Sequence, residues 1–249
     1  MLISLLSLFL QTAFAFHVVI DPGHGGVDTG AVHNGSKESE IVLAVSQKLA
    51  EIIKKDNRFA VTLTRHKEAF LSLEQRTEIA NKSKADLLIS IHVNWSEDKS
   101  VKGKEIYFQN QLPPDEESLY LASRENQGKK TSGPDKSMSA ESDMKAIIED
   151  LNRNTRIQKS GLLSEFIEQS WPEEQNYKKH KTTIRQAPFY VISNLNMPSC
   201  LVELGFISNA SEAEKLLNPE YQKKLASALY NGVIQFKELV DKAARQSLN

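Results

Sequence analysis

The alternation of short apolar runs with longer amphipathic stretches is the feature that most constrains the fold of this chain. Runs rich in β-branched and aromatic residues predict strands at residues 17–21, 59–65, 86–94, 103–109, 189–194 and 200–206. Helical periodicity predicts helices at residues 38–55, 71–83, 115–127, 154–170 and 219–240. Strands that alternate with helices form a parallel or mixed sheet covered on both faces. We therefore predict a single α/β domain with a mixed, mostly parallel sheet of about six strands and helices on both faces.

The N-terminal residues have the features of an export signal. The stretch MLISLLSLFLQTAFA, residues 1–15, is apolar and has no acidic or basic side chain. It ends in the small-x-small pattern of a cleavage site, and it is shorter than the roughly 20 residues that span a bilayer. We interpret residues 1–15 as a signal peptide, with a buried N-terminal strand as the alternative. Residues 16–249 are then an exported domain, periplasmic or extracellular, with no transmembrane segment after signal removal.

Charge and cysteine content exclude several classes of function. The formal net charge of −1 argues against a general nucleic-acid-binding protein. Cys200 is the only cysteine, which excludes an internal disulfide and a cysteine-based zinc site. It lies in the apolar run CLVELGF, where a small core residue is expected rather than a nucleophile.

We expect the protein to be a monomer.

Residues 111–150 differ from the rest of the chain. This segment begins near Pro113-Pro114 and continues through the polar, turn-rich stretch QGKKTSGPDKSMSAES. A long polar segment within a compact domain is usually functional or disordered. We interpret it as an insertion over the sheet that forms a lid or a regulatory segment, with simple disorder of residues 128–142 as the alternative.

Ionisable side chains occur where several predicted elements end or begin. His24 follows the first strand in DPGHGG, His92 and Asn94 end the third strand, Glu203 lies in the last strand, and Glu38 opens the first helix. Functional groups of such sheets collect at the carboxyl ends of the strands. Two imidazoles and a carboxylate are a ligand set for catalytic zinc. His24, Glu38 and His92 are the candidate ligands, and Glu203 is the candidate general base.

The spacing of these residues leaves alternatives open. Separations of 14, 54 and 111 residues match no compact zinc motif. A histidine in a turn, a histidine capping a strand and a salt-bridged Glu203 would produce the same pattern. Glu40 is the alternative to Glu38 as the metal ligand from the first helix. The glycines of DPGHGG indicate either a close approach to His24 or an ordinary turn after a strand.

The chain resembles the zinc-dependent N-acetylmuramoyl-L-alanine amidases that cleave bacterial peptidoglycan. The resemblance covers nearly all of residues 17–243 and rests on segments that occur in the family's order. They are VVIDPGHGGVDTGAV, KESEIVLAVSQKLA, VTLTRHKEAFLSLEQRTEIAN, ADLLISIHVN and RQAPFYVISNLNMPSCLVELGFISN. The resemblance implies hydrolysis of the amide between N-acetylmuramic acid and the first L-alanine of the stem peptide, with Zn²⁺ as the cofactor.

The resemblance also assigns roles to individual residues. It maps His24, Glu38 and His92 onto the zinc ligands and Glu203 onto the catalytic glutamate. The remaining matches are possible substrate-binding or ligand-orienting residues, with buried salt bridges or strand capping as alternatives: Asp28, Arg65, Arg76 and Asn94.

The comparison with the family leads to one expected departure, one possible regulatory segment and two rival functions. Unlike many relatives, the protein is expected to lack a separate wall-binding domain, because the first strand begins two residues after the predicted cleavage site and little sequence follows residue 243. Some relatives carry an inserted helix that blocks the zinc until a protein activator removes it, and residues 111–150 occupy the comparable place. Glu141 and Glu149 are the acidic candidates for such a contact, and a free-standing active enzyme is the alternative. A zinc peptidase and a non-catalytic peptidoglycan-binding protein are the rival functions.

Overall fold

The structure is a computed structural model that describes residues 15–109, 111–127, 140–172 and 184–247, with the side chains of residues 140–147 left out. The expected signal peptide therefore lies outside the described residues, apart from Ala15. The same is true of most of the polar stretch 128–142.

Within the described residues, eight strands form one large sheet and one small ribbon. They are β1 (Phe16–Pro22), β2 (Val32–His33), β3 (Ser36–Lys37), β4 (Phe59–Leu63), β5 (Leu87–Asn94), β6 (Glu105–Phe108), β7 (Ile184–Gln186) and β8 (Ser199–Phe206). The large sheet has the order β4-β1-β5-β8-β6-β7, and β2 pairs with β3. Strands β4, β1, β5 and β8 are parallel, whereas β6 is antiparallel to β8 and parallel to β7. The predicted mixed, mostly parallel sheet of six strands is confirmed.

Seven helices lie among the described residues. They are α1 (Glu38–Lys54), α2 (Leu73–Ser83), α3 (Glu116–Glu125), α4 (Ala140–Gln169), α5 (Tyr190–Ser193), α6 (Ala210–Leu217) and α7 (Pro219–Gln246). Apolar side chains of α1, α4, α6 and α7 pack with the sheet in one core, and those of α2, α3 and α5 pack in a second. The prediction of helices on both faces is confirmed. None of the helices in the described ranges is both long and apolar enough to cross a membrane.

One predicted strand is wrong. Residues 189–194 contain the short helix α5, and the sixth strand of the sheet is β7, which lies just before it. A short apolar run cannot be assigned to strand or helix by periodicity alone. Phe189, Val191 and Ile192 are apolar because they are buried in the second core. Strand β7 has only three half-buried residues, too few for a recognisable pattern.

The parallel strands place their polar ends together. Strands β1, β5 and β8 are adjacent and point the same way, so their carboxyl ends share one edge of the sheet. Helix α1 begins near this edge, because the backbone N–H of Glu38 donates to the carbonyl of Ala31 in the segment that follows β1. The candidate site is built at this edge.

Candidate metal centre

The three predicted ligands meet at the carboxyl edge of the sheet. His24 lies in the turn after β1, Glu38 is the first residue of α1, and His92 lies near the end of β5. One ligand atom from each of the three residues lies within 4.8 Å of the others. Nε2 of His24 is 3.2 Å from Oε1 of Glu38, and Nδ1 of His92 is 3.1 Å from the same oxygen. The chain therefore assembles a potential metal-binding cluster from residues that are far apart in sequence.

Glu38, and not Glu40, faces the site. The Glu38 side chain is buried, and its two oxygens accept hydrogen bonds from the backbone N–H groups of Ala31 and Val93. The Glu40 side chain is 53% exposed and pairs with Lys37. The helical repeat explains the difference, because residues two apart on a helix point in different directions.

The glycines of the His24 loop make room for the candidate ligands themselves. A Cβ at Gly23 would lie 2.4 Å from the His92 ring, and one at Gly30 would lie 2.5 Å from Oε2 of Glu38. Gly30 also has a φ of +62°, a conformation that L side chains rarely adopt. The close approach that the motif indicated is therefore an approach of the ligand side chains to the loop backbone.

The cluster attracts positive charge. Burial lowers the pKa of His24, but the carboxylates of Glu38 and Asp28 outweigh burial and raise it to about 11. Burial raises the pKa of Glu38, but His24 and His92 outweigh it and hold the pKa far below its usual value. Glu38 is thus a carboxylate in a buried site, an arrangement that a bound cation stabilises.

Asp28 contacts the nitrogen of His24 that faces away from the cluster. Its Oδ2 lies 2.9 Å from Nδ1 of His24, which leaves Nε2 directed at Glu38. Nε2 is buried and has no hydrogen-bond partner among the described residues. A carboxylate on the remote nitrogen is the usual means of orienting a histidine ligand. The donor set therefore fits a metal such as zinc.

Glu203 lies beside the cluster and is almost completely buried. It is 1% exposed, and β8 pairs it with His92 of β5. Its Oε2 has no hydrogen-bond partner in the described part of the chain. Burial, followed by the negative charges of Glu38 and Glu125, raises the pKa of Glu203 well above its usual value. A carboxylate with a raised pKa accepts a proton more readily than an ordinary glutamate does, as a general base requires.

The remaining predicted residues lie in buried hydrogen-bond networks. Arg65 and Arg76 are both 3% exposed and donate to backbone carbonyls around His24. Asn94 donates from Nδ2 to Oε2 of Glu105, and its own Oδ1 accepts from the backbone N–H of Trp95. Glu105 was missed by sequence reasoning, because an acidic residue at the start of a strand has no distinctive spacing.

A further carboxylate, Glu125, reaches the site from helix α3. Its Oε2 lies 3.3 Å from Nε2 of His24 and 3.7 Å from Nδ1 of His92. The insertion was expected to contribute Glu141 or Glu149. Glu149 is exposed on α4, and the side chain of Glu141 is outside the described residues. Glu125 carries no sequence signal, since it is an ordinary charged residue at the end of a predicted helix.

Helix α3 or its C-terminal end lines two cavities near the site. One, of about 280 Å³, is lined by residues that include His24, His92, Phe70 and Glu125. The other, of about 330 Å³, is lined by residues that include Asn94, Glu105 and Arg124. Both cavities include residues of α3 or its C-terminal end in their walls, so the position of this helix controls the shape of the site.

The fold and the site define the chain as an α/β domain with a histidine- and carboxylate-based candidate metal centre. The chain belongs to the N-acetylmuramoyl-L-alanine amidase family, whose sequence profile matches residues 18–235. It is 34% identical over 222 residues to N-acetylmuramoyl-L-alanine amidase AmiA of Escherichia coli strain K12. That alignment covers 88% of this chain and 75% of AmiA.

Solved structures of amidases have the same fold. The catalytic domain of CwlV, an N-acetylmuramoyl-L-alanine amidase from Bacillus (Paenibacillus) polymyxa var. colistinus, matches with a TM-score of 0.64 and 25% identity over 89% of this chain and 98% of that chain. The CwlD amidase of Clostridioides difficile, solved in complex with the GerS lipoprotein, matches with a TM-score of 0.66. It is 24% identical and covers 90% of this chain and 98% of that chain, a likeness that concerns the fold.

Proposed function

We propose that this protein is a zinc-dependent N-acetylmuramoyl-L-alanine amidase of bacterial peptidoglycan. The observation that carries the proposal is the meeting of His24, Glu38 and His92 beside the buried Glu203, in a chain of this family. The bond cleaved is the amide between the lactyl group of N-acetylmuramic acid and the first L-alanine of the stem peptide.

His24, Glu38 and His92 would hold the zinc ion through Nε2, a carboxylate oxygen and Nδ1. Their donor types match those of catalytic zinc sites, in which three protein ligands leave one position open. A bound zinc ion supplies Lewis acidity and lowers the pKa of coordinated water to about 7. Asp28 keeps the His24 ring oriented through its contact with Nδ1.

Glu203 moves the proton in the proposed reaction. Its carboxylate takes a proton from the attacking water and later delivers it to the departing nitrogen of L-alanine. The raised pKa of Glu203 supports this exchange, because it makes the carboxylate a better proton acceptor than an ordinary glutamate. Burial of the carboxyl group also keeps bulk water from competing for the proton.

The proposed substrate supports a location outside the cytoplasm. Peptidoglycan lies beyond the cytoplasmic membrane, so we propose that the enzyme is exported, with residues 1–15 as its signal peptide. Residues 16–249 then make up the amidase domain.

The proposal is tested by digesting purified sacculi with residues 16–249, with and without a chelator. We expect stem peptides with a free N-terminal L-alanine together with peptide-free glycan, both identified by mass spectrometry. The activity should disappear on chelation and return with added zinc. Products cut within the stem would indicate a peptidase instead. A folded, zinc-loaded protein that binds sacculi and releases nothing would indicate a binding protein, provided that α3 does not block the site.

We also propose that the insertion regulates this site through α3. The supporting observation is Glu125, whose carboxylate lies within 3.7 Å of both histidine nitrogens of the cluster. A carboxylate there would take the position that a catalytic zinc site keeps open for water or substrate. Activation then requires α3 to move, and a protein activator is one means of moving it.

Glu125→Gln tests this regulatory role. Loss of the negative charge should raise basal activity about 10-fold, the equivalent of roughly 1.4 kcal/mol. Glu116→Gln is the matched control, because Glu116 is an exposed glutamate on the same helix. Equal activity in the wild type and both variants would refute a blocking role for α3 without affecting the proposed chemistry.

A further inference from the structure

Arg65 joins the two segments that carry His24 and Glu38. Its side chain is 1% exposed and lies beneath the loop that follows β1. Nε donates to the carbonyl of Pro22 at 3.0 Å, and Nη2 donates to the carbonyl of Gly23 at 2.8 Å. Nη2 also donates to the carbonyl of Ser39, the residue after Glu38, at 2.8 Å. One buried guanidinium therefore contacts the backbone next to two of the three ligands.

The backbone of the His24 loop requires such support. His24 has a φ of +54°, in the left-handed region that non-glycine residues seldom occupy. A backbone conformation of this kind persists only where the surrounding structure fixes it. Arg65 holds the two carbonyls before His24, and Nη2 of Arg76 donates to the carbonyl of His24 itself at 2.6 Å. The strained residue is thus held on both sides.

The loop is shaped to accept the Arg65 side chain. Gly25 has a φ of +124°, and a Cβ at this position would lie 2.9 Å from Nε of Arg65 and 2.4 Å from the carbonyl oxygen of Ala69. A residue other than glycine would therefore displace the guanidinium or the neighbouring backbone. This contact accounts for a glycine of the DPGHGG motif that the ligands do not explain.

We propose that Arg65 is a positioning residue that sets the spacing of His24 and Glu38, and through it the affinity of the site for a divalent cation. This inference rests on the proposed zinc centre. Arginine is needed because its planar guanidinium donates in several fixed directions, whereas lysine offers a single nitrogen on a flexible stem. Arg65→Lys therefore keeps the positive charge and loses the geometry.

The test measures metal binding directly in the full chain. We expect Arg65→Lys to bind zinc about 10- to 100-fold more weakly than the wild type in competition with a chromophoric chelator. The visible spectrum of the cobalt-substituted variant should also change, because it reports ligand geometry. Arg58→Lys is the matched control, since Arg58 is half exposed and pairs with Asp56 away from the site. It should bind zinc as the wild type does.

Several outcomes would overturn the inference. A folded Arg65→Lys protein with unchanged zinc affinity and cobalt spectrum would do so, even with a lower melting temperature, because Arg65 would then be merely structural. If Arg65→Lys does not fold, the Glu68→Gln variant tests the positioning role instead. Glu68 is 38% exposed and accepts from Nη1 of Arg65 at 3.0 Å.

Glu68→Gln should weaken zinc binding by about 2- to 5-fold, as expected for a partly exposed ion pair. Unchanged affinity in that variant would refute the positioning role. A folded wild type that binds no zinc would refute the proposed metal centre itself, and this inference with it.

Discussion

The two sides of the site are built in different ways. On one side, His24 lies in the turn after β1, Glu38 opens α1 and His92 lies in β5, and both strands are inner strands of the sheet. On the other side, Glu125 comes from the ten-residue helix α3. Moving a ligand of the first group would disturb the sheet, whereas moving Glu125 requires only that α3 be displaced. The proposed chemistry and its proposed control therefore depend on elements that are anchored in different ways.

The attachments of the two sides differ in kind. Behind the ligands, Oδ1 of the buried Asp21 accepts from Arg76 and Thr64, and Oδ2 accepts from Ser90. Helix α3 contributes Leu121 and Ala122 to the second core and is also held by partly exposed contacts. Besides the contact of Glu125 with the histidines, these include the side chain of Asn126 with Pro188 and Tyr190, and the ion pair of Glu117 with Arg185.

The largest effect is expected for Glu203→Gln. This variant tests whether the side of the site built on the sheet, to which Glu203 of β8 belongs, performs the proposed chemistry. The amide keeps the shape of the side chain but cannot accept the water proton. We expect turnover of muramyl peptides to fall by about 100- to 10,000-fold, while zinc content and melting temperature are retained. A Glu203→Gln protein with wild-type turnover would eliminate this residue as the general base.

The next largest effect is on the stability of the buried network behind the candidate ligands. Asp21→Asn leaves Arg76 without its buried partner and should lower the free energy of unfolding by about 3–5 kcal/mol at pH 7. Asp86→Asn is the control, because Asp86 is exposed and an amide oxygen can still accept from the backbone N–H of His17. Urea titrations of both variants measure the difference, and equal midpoints would show that the buried network contributes little.

The same variant should respond to pH in a defined direction. Burial raises the pKa of Asp21, but Arg76 and Thr64 outweigh burial and lower it below its usual value. The stability that Asp21 contributes is therefore fully present above about pH 4 and is lost as the pH falls through its folded-state pKa. The gap between wild type and Asp21→Asn should be constant from pH 7 to 5 and shrink toward pH 3.

A smaller effect is expected on the α3 side. Asn126→Ala removes two hydrogen bonds, from Nδ2 to the carbonyl of Pro188 and from the backbone N–H of Tyr190 to Oδ1, both of 2.8 Å. Asn126 directly follows Glu125, so α3 should move away from the site more easily without these bonds. We expect basal activity to rise by up to about 5-fold, for bonds worth ~1 kcal/mol, with faster amide exchange in α3.

The chain offers a matched control for this variant. Asn81 of α2 makes a similar pair of bonds, with the carbonyl of Asn194 and the backbone N–H of Asn196, and does not contact α3. Asn81→Ala should lose stability without gaining activity. A gain in both variants would mean that general loosening, rather than release of α3, activates the enzyme.

The smallest effect is expected for Glu149→Gln. Glu149 is exposed on α4, so its substitution should leave activity unchanged and should change the free energy of unfolding by no more than about 0.5 kcal/mol. A rise in activity equal to that of Glu125→Gln would move the regulatory contact from α3 to α4, and the contrast between the two sides would have to be redrawn.

Most of the sheet could be predicted because its signals are local. Local signals also made His24, Glu38, His92 and Glu203 candidate site residues, and the resemblance to the amidase family chose them over the alternatives. Each of these side chains interrupts or ends an apolar run, or opens an amphipathic helix, and parallel strands bring such ends together. Strand β7 was missed because three residues carry no period, and α5 was mistaken for a strand because both states bury a short apolar run.

The sequence by itself determined the α/β alternation and the identity of the residues at the strand ends, because burial leaves a periodic trace along the chain. Only the tertiary structure decided that Glu125 is the carboxylate facing the histidines, that Arg65 joins the two ligand segments, and that the loop glycines accommodate side chains of the protein itself. These contacts join residues that are distant in sequence. They depend on how helices and loops pack across the sheet, which no local pattern records.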